Sequence, residues 1–240
     1  MLTERDGINL KPIFAPSLMC MDYLHVEDDL RILNEHCDML HADIMDGHFA
    51  PNLALSTDFL RGIRPAATLP IDAHLMVENP ADYVEPCALS GARYISVHAE
   101  TVWNNAFRVM NQIKKAGCLV GLVLSPATTL DAAKHLLPYV DILTVMTVDV
   151  GYAGQAFIPE MLGKIRDARR LKEEQGYSFI IQSDGGCGPK TYADLYAAGA
   201  QAFVLGSSGL FGRAPDLETA CRKLKSEFDE AVAAGGQKHG

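Results

Sequence analysis

A chain of 240 residues, 48% of them hydrophobic, is long enough to bury a sizeable core in one large α/β domain or two small ones. Its formal net charge of −9 argues against a nucleic-acid surface, which needs clustered Lys and Arg, so the expected partner is a small molecule. No apolar run approaches the roughly 20 residues that span a bilayer, and Met1–Lys11 is a charged leader rather than a signal stretch, which together predict a soluble cytoplasmic protein.

Beyond that leader, short apolar runs rich in β-branched residues alternate with longer amphipathic stretches, the pattern that βα units produce. In chain order the predicted strands are Ile13–Leu18, Met39–Met45, Leu69–Met76, Tyr94–His98, Leu119–Leu124, Ile142–Met146, Phe179–Ser183 and Ala202–Leu205. The predicted helices are Val26–His36, Ala81–Leu89, Asn104–Ala116, Leu130–Leu137, Pro159–Gln175, Lys190–Ala198 and Leu217–Ala234. Gly91, Gly117 and Gly199 precede strands four, five and eight, where helix C-caps favour glycine. Eight such units predict a (β/α)₈ TIM barrel, a single domain over 12–240 with 1–11 as leader. The same local pattern also builds an open, doubly wound sheet. No Pro/Gly/Ser-rich linker divides the chain. The six cysteines form no C-x-x-C pair and are expected to be free, mostly buried thiols.

Catalytic groups of a barrel sit where strands end, and these strand ends are polar. Strand two runs His41-Ala42-Asp43-Ile44-Met45, and the two-residue period puts His41, Asp43 and Met45 on one face. By the same rule Asp72, His74 and Met76 share a face of strand three, and strand seven runs out at Asp184-Gly185-Gly186. His41, Asp43, His74 and Asp184 make a plausible ligand set for one divalent ion, Zn, Mn, Fe, Co or Mg. Any one buried His is more often simply hydrogen-bonded, but four such residues, each at a strand end, weigh against that reading. Asp72, one step deeper, is read as a buried layer residue and not a ligand. Met45, Met76 and Met146 are ordinary core filler taken singly; at one rim they would form an apolar wall around a charged intermediate.

Three late loops carry small residues: Gly151, Tyr152, Ala153 and Gly154 after strand six, Gly185 and Gly186 after strand seven, Gly206 and Ser207 after strand eight. A lone glycine turn means little. Three on consecutive late loops predict a phosphate monoester held by backbone N–H groups, and no Lys or Arg appears in loops six or eight before Arg213.

Ala15-Pro16-Ser17-Leu18, the run His41 to Asn52, His74-Leu75-Met76-Val77, Gly151 to Gln155 and Asp184-Gly185-Gly186 resemble the ribulose-phosphate 3-epimerase family from Phe14 onward. Pro16 to Asp22 and Thr147 to Leu162 look closest to its D-allulose-6-phosphate 3-epimerase members, whereas Asp184 to Pro189 and Met76 to Pro80 read more like the pentose-phosphate enzyme. Val150 stands where most members carry Pro. The resemblance implies a metal on His41, Asp43, His74 and Asp184, with the two aspartates as opposed acid and base. It also suggests a homo-oligomer, a dimer or hexamer.

The expected reaction is therefore 3-epimerisation of a ketose phosphate through an enediolate: D-allulose 6-phosphate and D-fructose 6-phosphate, or alternatively D-ribulose 5-phosphate and D-xylulose 5-phosphate. Ser17, His41 and His74 are expected at the substrate oxygens. A Schiff-base aldolase would need an inward lysine, and none of the eight predicted strands contains one. A non-catalytic sugar-phosphate sensor would bind without exchanging the C3 hydrogen.

Overall fold

The computed structural model describes residues 11–236; apart from Lys11, the expected leader lies outside them. Eight parallel strands form one sheet: β1 (Ile13–Pro16), β2 (Leu40–Met45), β3 (Ile71–Met76), β4 (Tyr94–His98), β5 (Leu119–Leu124), β6 (Ile142–Met146), β7 (Ile180–Asp184) and β8 (Ala202–Leu205). Each strand pairs with the next from β2 to β8, and β8 pairs with β1. The seam between β1 and β2 is joined at its lower end by Asp38, whose N–H donates to the Phe14 carbonyl at 3.1 Å and whose carboxylate accepts from the Phe14 N–H at 3.0 Å. At its upper end a parallel bridge joins Ser17 to His41. The sheet is thus a barrel, not the open alternative.

Around it run α1 (Val26–His36), α2 (Thr57–Ile63), α3 (Val84–Leu89), α4 (Ala99–Val102), α5 (Ala106–Lys115), α6 (Leu130–Ala133), α7 (Met161–Gln175), α8 (Tyr192–Ala198) and α9 (Leu217–Gly236). Helix α1 shows why such segments fold as they do. Leu30 and Leu33 bury one stripe, while Glu27, Asp28 and Asp29 place negative charge at the positive end of the helix dipole. Gly91, Gly117 and Gly199 all take positive φ, as their expected C-cap positions require.

Helices differ from the sequence expectation in several places: α4 is an unexpected single turn, the helix expected over 81–89 is a 3₁₀ turn at Pro80–Asp82 followed by α3, and two further differences have a plain local cause. Between β2 and β3 an extra helix, α2, starts where the Ser56 hydroxyl accepts the Phe59 N–H. It is only seven residues long, contains Gly62 and is followed by Pro65, so it carries little periodic signal. The helix expected over 130–137 is instead α6 followed by a separate 3₁₀ turn at Leu137–Tyr139, with Pro138 unable to donate to a continuing helix.

Strand alternation separates two kinds of interior. Outward positions such as Ala42, Ile44, Ala73, Leu75, Ile95, Val97, Leu122 and Val145 join the helices in the main hydrophobic core. Inward positions are apolar near the strand starts, where Ala15, Met39 and Ile142 pack with Ile13, Tyr94 and Ile180 as a plug, and again at the upper rim, at Met45, Met76, Val123 and Met146. Between plug and rim the barrel axis is polar. His41, Asp43, Asp72, His74, Ser96, His98, Thr144 and Gln182 are all buried. Among the described residues, no helix is long and apolar enough to cross a membrane.

Candidate metal centre and active site

The polar axis is organised by strand register. β2 and β3 pair His41 with Asp72, Asp43 with His74 and Met45 with Met76, so the two inward files lie side by side. β6 and β7 pair Met146 with Asp184, which brings the second carboxylate in from the opposite wall. The Thr147 N–H and hydroxyl both donate to the Asp184 carbonyl, at 2.8 and 3.0 Å, and hold the strand end in place.

Four donor atoms converge at the top of this axis. His41 Nε2 lies 3.2 Å from His74 Nδ1, 3.4 Å from Asp43 Oδ1 and 3.6 Å from Asp184 Oδ2. His74 Nδ1 lies 3.2 Å from Asp43 Oδ1 and 3.5 Å from Asp184 Oδ2. Bonds of about 2.0–2.2 Å directed to the corners of a tetrahedron give edges of roughly 3.3–3.6 Å, which is the spacing seen here. One ligand atom from each of the four residues lies within 4.8 Å of the others, so the group could hold a metal ion. The donor set, two imidazoles and two carboxylates, suits Zn, Mn or Fe better than an all-oxygen cage would.

Electrostatics point the same way. Burial disfavours the His41 cation, yet Asp43, Asp184 and Asp72 together raise its pKa well above that of an ordinary imidazole. Burial likewise opposes ionisation of Asp43, but His41 and His74 hold its carboxyl well below the usual carboxylate range. The cluster is a place made for positive charge. Asp72 fixes the outer side of His41, with Oδ2 3.0 Å from His41 Nδ1, while Ser96 Oγ donates to its Oδ1 at 2.5 Å and Gln182 Nε2 to its Oδ2 at 3.1 Å. When the ring is neutral, as a cation at the cluster would require, a carboxylate accepting from Nδ1–H leaves the lone pair at Nε2, facing the cluster. Asp72 is therefore buried and outside the ligand set, as expected, but it orients a member of that set.

The cleft above the cluster is lined by Ser17, Asp43, Met45, Met76, Met146, Gly151, Tyr152, Ala153, Gly154, Asp184, Gly185, Gly186, Gly206 and Ser207, so the structure brings these expected residues to one site. His41 and His74 do not line it; both are fully buried beneath, facing the cluster. Ser17 Oγ donates to Asp43 Oδ2 at 2.6 Å, which orients the carboxylate whose other oxygen faces the cluster. Met45 and Met76 pack with Ala50, and Met146 with Val123 and Val148, with Val150 touching both groups. The methionines do stand at one rim.

Several residues at the site lie outside the constellation expected from sequence. Met19, Cys20, Asp149, Gln155 and Ser208 also line the cleft. Burial pushes the Cys20 thiol up to about 11, with Asp43 adding to the effect, so it stands there as a neutral group. His98 and Glu100 sit behind His74, although the alternation that selects His74 on β3 also turns Ser96 and His98 inward on β4. Burial lowers the His98 pKa to about 4 despite Glu100 beside it, so the ring is neutral. Burial opposes ionisation of Glu100, but its bonds from His98 and Thr128 bring its pKa down to about 2.

Comparison with known proteins gives a consistent picture. The family described as "Ribulose-phosphate 3 epimerase family" matches residues 13–211. A protein of Aquifex aeolicus named ribulose-phosphate 3-epimerase is 38% identical over 222 residues, covering 92% of this chain and 99% of that protein. One of the same name from Escherichia coli is 36% identical over 219 residues, covering 90% and 96%. Among solved structures, KGPDC from Streptococcus mutans in complex with D-R5P superposes with a TM-score of 0.70 at 14% identity, over 92% of this chain and 98% of that one. A 3-hexulose-6-phosphate synthase structure gives a TM-score of 0.67 at 12% identity, over 90% and 99%. At these identities the structural matches speak for the barrel fold alone.

Proposed function

Because this chain belongs to the ribulose-phosphate 3-epimerase family, and is accordingly an isomerase acting on sugar phosphates, we propose that it interconverts D-ribulose 5-phosphate and D-xylulose 5-phosphate, with Asp43 and Asp184 as its proton-transferring groups. The observation that carries this reading is the convergence of two carboxylates from β2 and β7 on one floor, each with a ligand oxygen within 4.8 Å of the same imidazole nitrogens.

The hexulose expectation gives way to its pentulose alternative. It rests on Pro16 to Asp22 and Thr147 to Leu162, whereas relatives aligned over nine-tenths of the chain bear the ribulose-phosphate name. The runs Asp184 to Pro189 and Met76 to Pro80 favour the same side.

The hydrogen at C3 of a 2-ketose is α to a carbonyl, and its removal creates an enediolate whose negative charge needs stabilising as it forms. A divalent ion held by His41, Asp43, His74 and Asp184 would supply that stabilisation as a Lewis acid. The chain's own residues do the rest. One aspartate takes the C3 proton from one face and the other returns a proton to the opposite face, which two groups on a single strand could not do. In the reverse reaction the roles exchange. Ser17 steadies Asp43 through its 2.6 Å hydrogen bond. Met45, Met76 and Met146 keep water from the intermediate, and backbone N–H groups of loops seven and eight, at Gly185, Gly186, Gly206 and Ser207, receive the phosphate.

Steady-state kinetics on D-ribulose 5-phosphate and D-allulose 6-phosphate test the proposal. A kcat/KM at least tenfold higher on the pentulose is expected; a preference for the hexulose reverses the assignment, and no turnover of either refutes it.

A further inference from the structure

His74 differs from His41 in what stands behind it. Its outer nitrogen, Nε2, lies 2.9 Å from Nε2 of a third buried histidine, His98, whose own Nδ1 lies 3.3 Å from Glu100 Oε2 and 3.2 Å from Ser125 Oγ. The other oxygen of Glu100 is already saturated by donors from the β5–α6 loop: it accepts the Ser125 N–H at 3.0 Å and the Thr128 hydroxyl. Lys164 of α7 clamps that loop, donating to the Ser125 and Pro126 carbonyls at 2.9 and 2.8 Å. Phe49 covers His98 from the β2–α2 loop, ring centroids 4.6 Å apart, and His98 is fully buried.

The Glu100 carboxylate at the outer end sets the proton order along this column. A carboxylate can only accept, so His98 Nδ1 carries the hydrogen that faces Glu100. A neutral imidazole then offers a lone pair at Nε2, and His74 Nε2 must be the donor across the 2.9 Å contact. A neutral His74 then has its lone pair at Nδ1, the nitrogen that meets His41, Asp43 and Asp184.

We propose that Glu100 and His98 are positioning residues for the cation cluster: a hydrogen-bonded column running inward from the β5–α6 loop dictates which nitrogen of His74 is free to bind the ion. The inference rests on the reading that the cluster holds a divalent cation, and adds how one ligand is set for it.

The isosteric change Glu100→Gln is a sharp test. The amide oxygen can still accept from Ser125 and Thr128, but its NH₂ now faces His98 and donates. His98 must then accept at Nδ1 and donate at Nε2, which moves the His74 hydrogen onto Nδ1, into the cluster. Zn²⁺ is titrated into metal-free wild type, Glu100→Gln, His98→Phe and the double variant, in competition with a chromogenic chelator. Imidazole ¹⁵N spectra of the metal-free proteins report where each ring proton sits.

Wild type is expected to show His98 protonated on Nδ1 and His74 on Nε2, with the pattern reversed in Glu100→Gln. Zinc affinity should fall ten- to hundredfold in Glu100→Gln, and less in His98→Phe, which removes the column without imposing the wrong proton. The double variant should bind no worse than His98→Phe, because Glu100 acts only through His98. Glu100→Gln binding zinc within twofold of wild type, or a wild-type His98 protonated on Nε2, would overturn the proposal. Failure of wild type to bind zinc would overturn the cation reading and this inference with it, and the parallel titrations separate that result from the others.

Discussion

The Asn52 side-chain amide donates to the Gly151 carbonyl at 2.7 Å across 99 residues of chain, tying the loop after β2 to the loop after β6 over the mouth of the cleft. The Tyr152 hydroxyl repeats the link by donating to the Pro51 carbonyl. Contact here is close enough that a Cβ on Gly151, whose φ is +111°, would lie 3.2 Å from the Ala50 methyl. Asn52→Ala removes one such tie, about 1 kcal/mol. KM for the sugar phosphate should rise roughly fivefold, with kcat changed less, and chymotrypsin should cut faster at the exposed Tyr152. Unchanged KM together with unchanged cleavage would show that the two loops do not depend on each other.

Asp43→Asn and Asp184→Asn each remove one of the two proposed proton-transfer groups while preserving shape. Turnover should fall by about 10²–10⁴ in each, with circular dichroism unaltered, and exchange of the substrate C3 hydrogen into deuterated water should fall alongside. If both variants kept more than about a tenth of the wild-type rate, two-carboxylate chemistry would be ruled out.

Gly121 on β5 faces Ser96 on β4 so closely that an added Cβ would lie 1.9 Å from Ser96 Oγ and 2.7 Å from its Cα. Ser96 in turn donates to Asp72, which orients His41. Gly121→Ala should therefore cost stability by overpacking, about 1–3 kcal/mol, read as a lower urea midpoint at unchanged slope, and should also weaken zinc binding. A variant as stable as wild type would mean that β4 can shift freely, which the continuous β3–β4–β5 ladder opposes.

His98 makes stability depend on pH. Its folded pKa of about 4 lies below the ordinary 6.5, so the unfolded chain binds more protons between those values. Stability is then fully present above pH 6.5 and is lost as pH falls toward 4, by about 3 kcal/mol over the window. Urea midpoints of the metal-free protein measured from pH 7 to pH 4 should fall in wild type and flatten in His98→Phe. Equal slopes in the two proteins would contradict the assignment.

Most of the barrel is legible in the sequence because its strands are short β-branched runs buried on both faces, and β4, β5, β6 and β8 lie where the pattern puts them. Helix α2 is not legible, since seven residues carry too few turns to show a period. His41, Asp43, His74 and Asp184 stand out because alternation places unlike polar groups at adjacent strand ends. The roles of Asp72, His98 and Glu100 are harder to read: each acts through another side chain, and that depends on the strand register and on a loop returning from β5. The choice between pentulose and hexulose turns on the reach from the cation cluster to loops seven and eight, a distance that residue types do not encode.

The seam of the barrel has a kinetic meaning. β1 meets β2 at Ser17–His41, and the same serine steadies Asp43, so docking of β1 closes the circle and sets the Asp43 carboxylate in one stroke. A chain that has assembled β2 through β8 but not yet docked β1 has every ligand of the cluster in hand and still lacks the hydroxyl that aims one of them. With Asp43 in its proposed role, competence for turnover is reserved for the finished molecule, and the return of activity during refolding becomes a clock for the docking of β1.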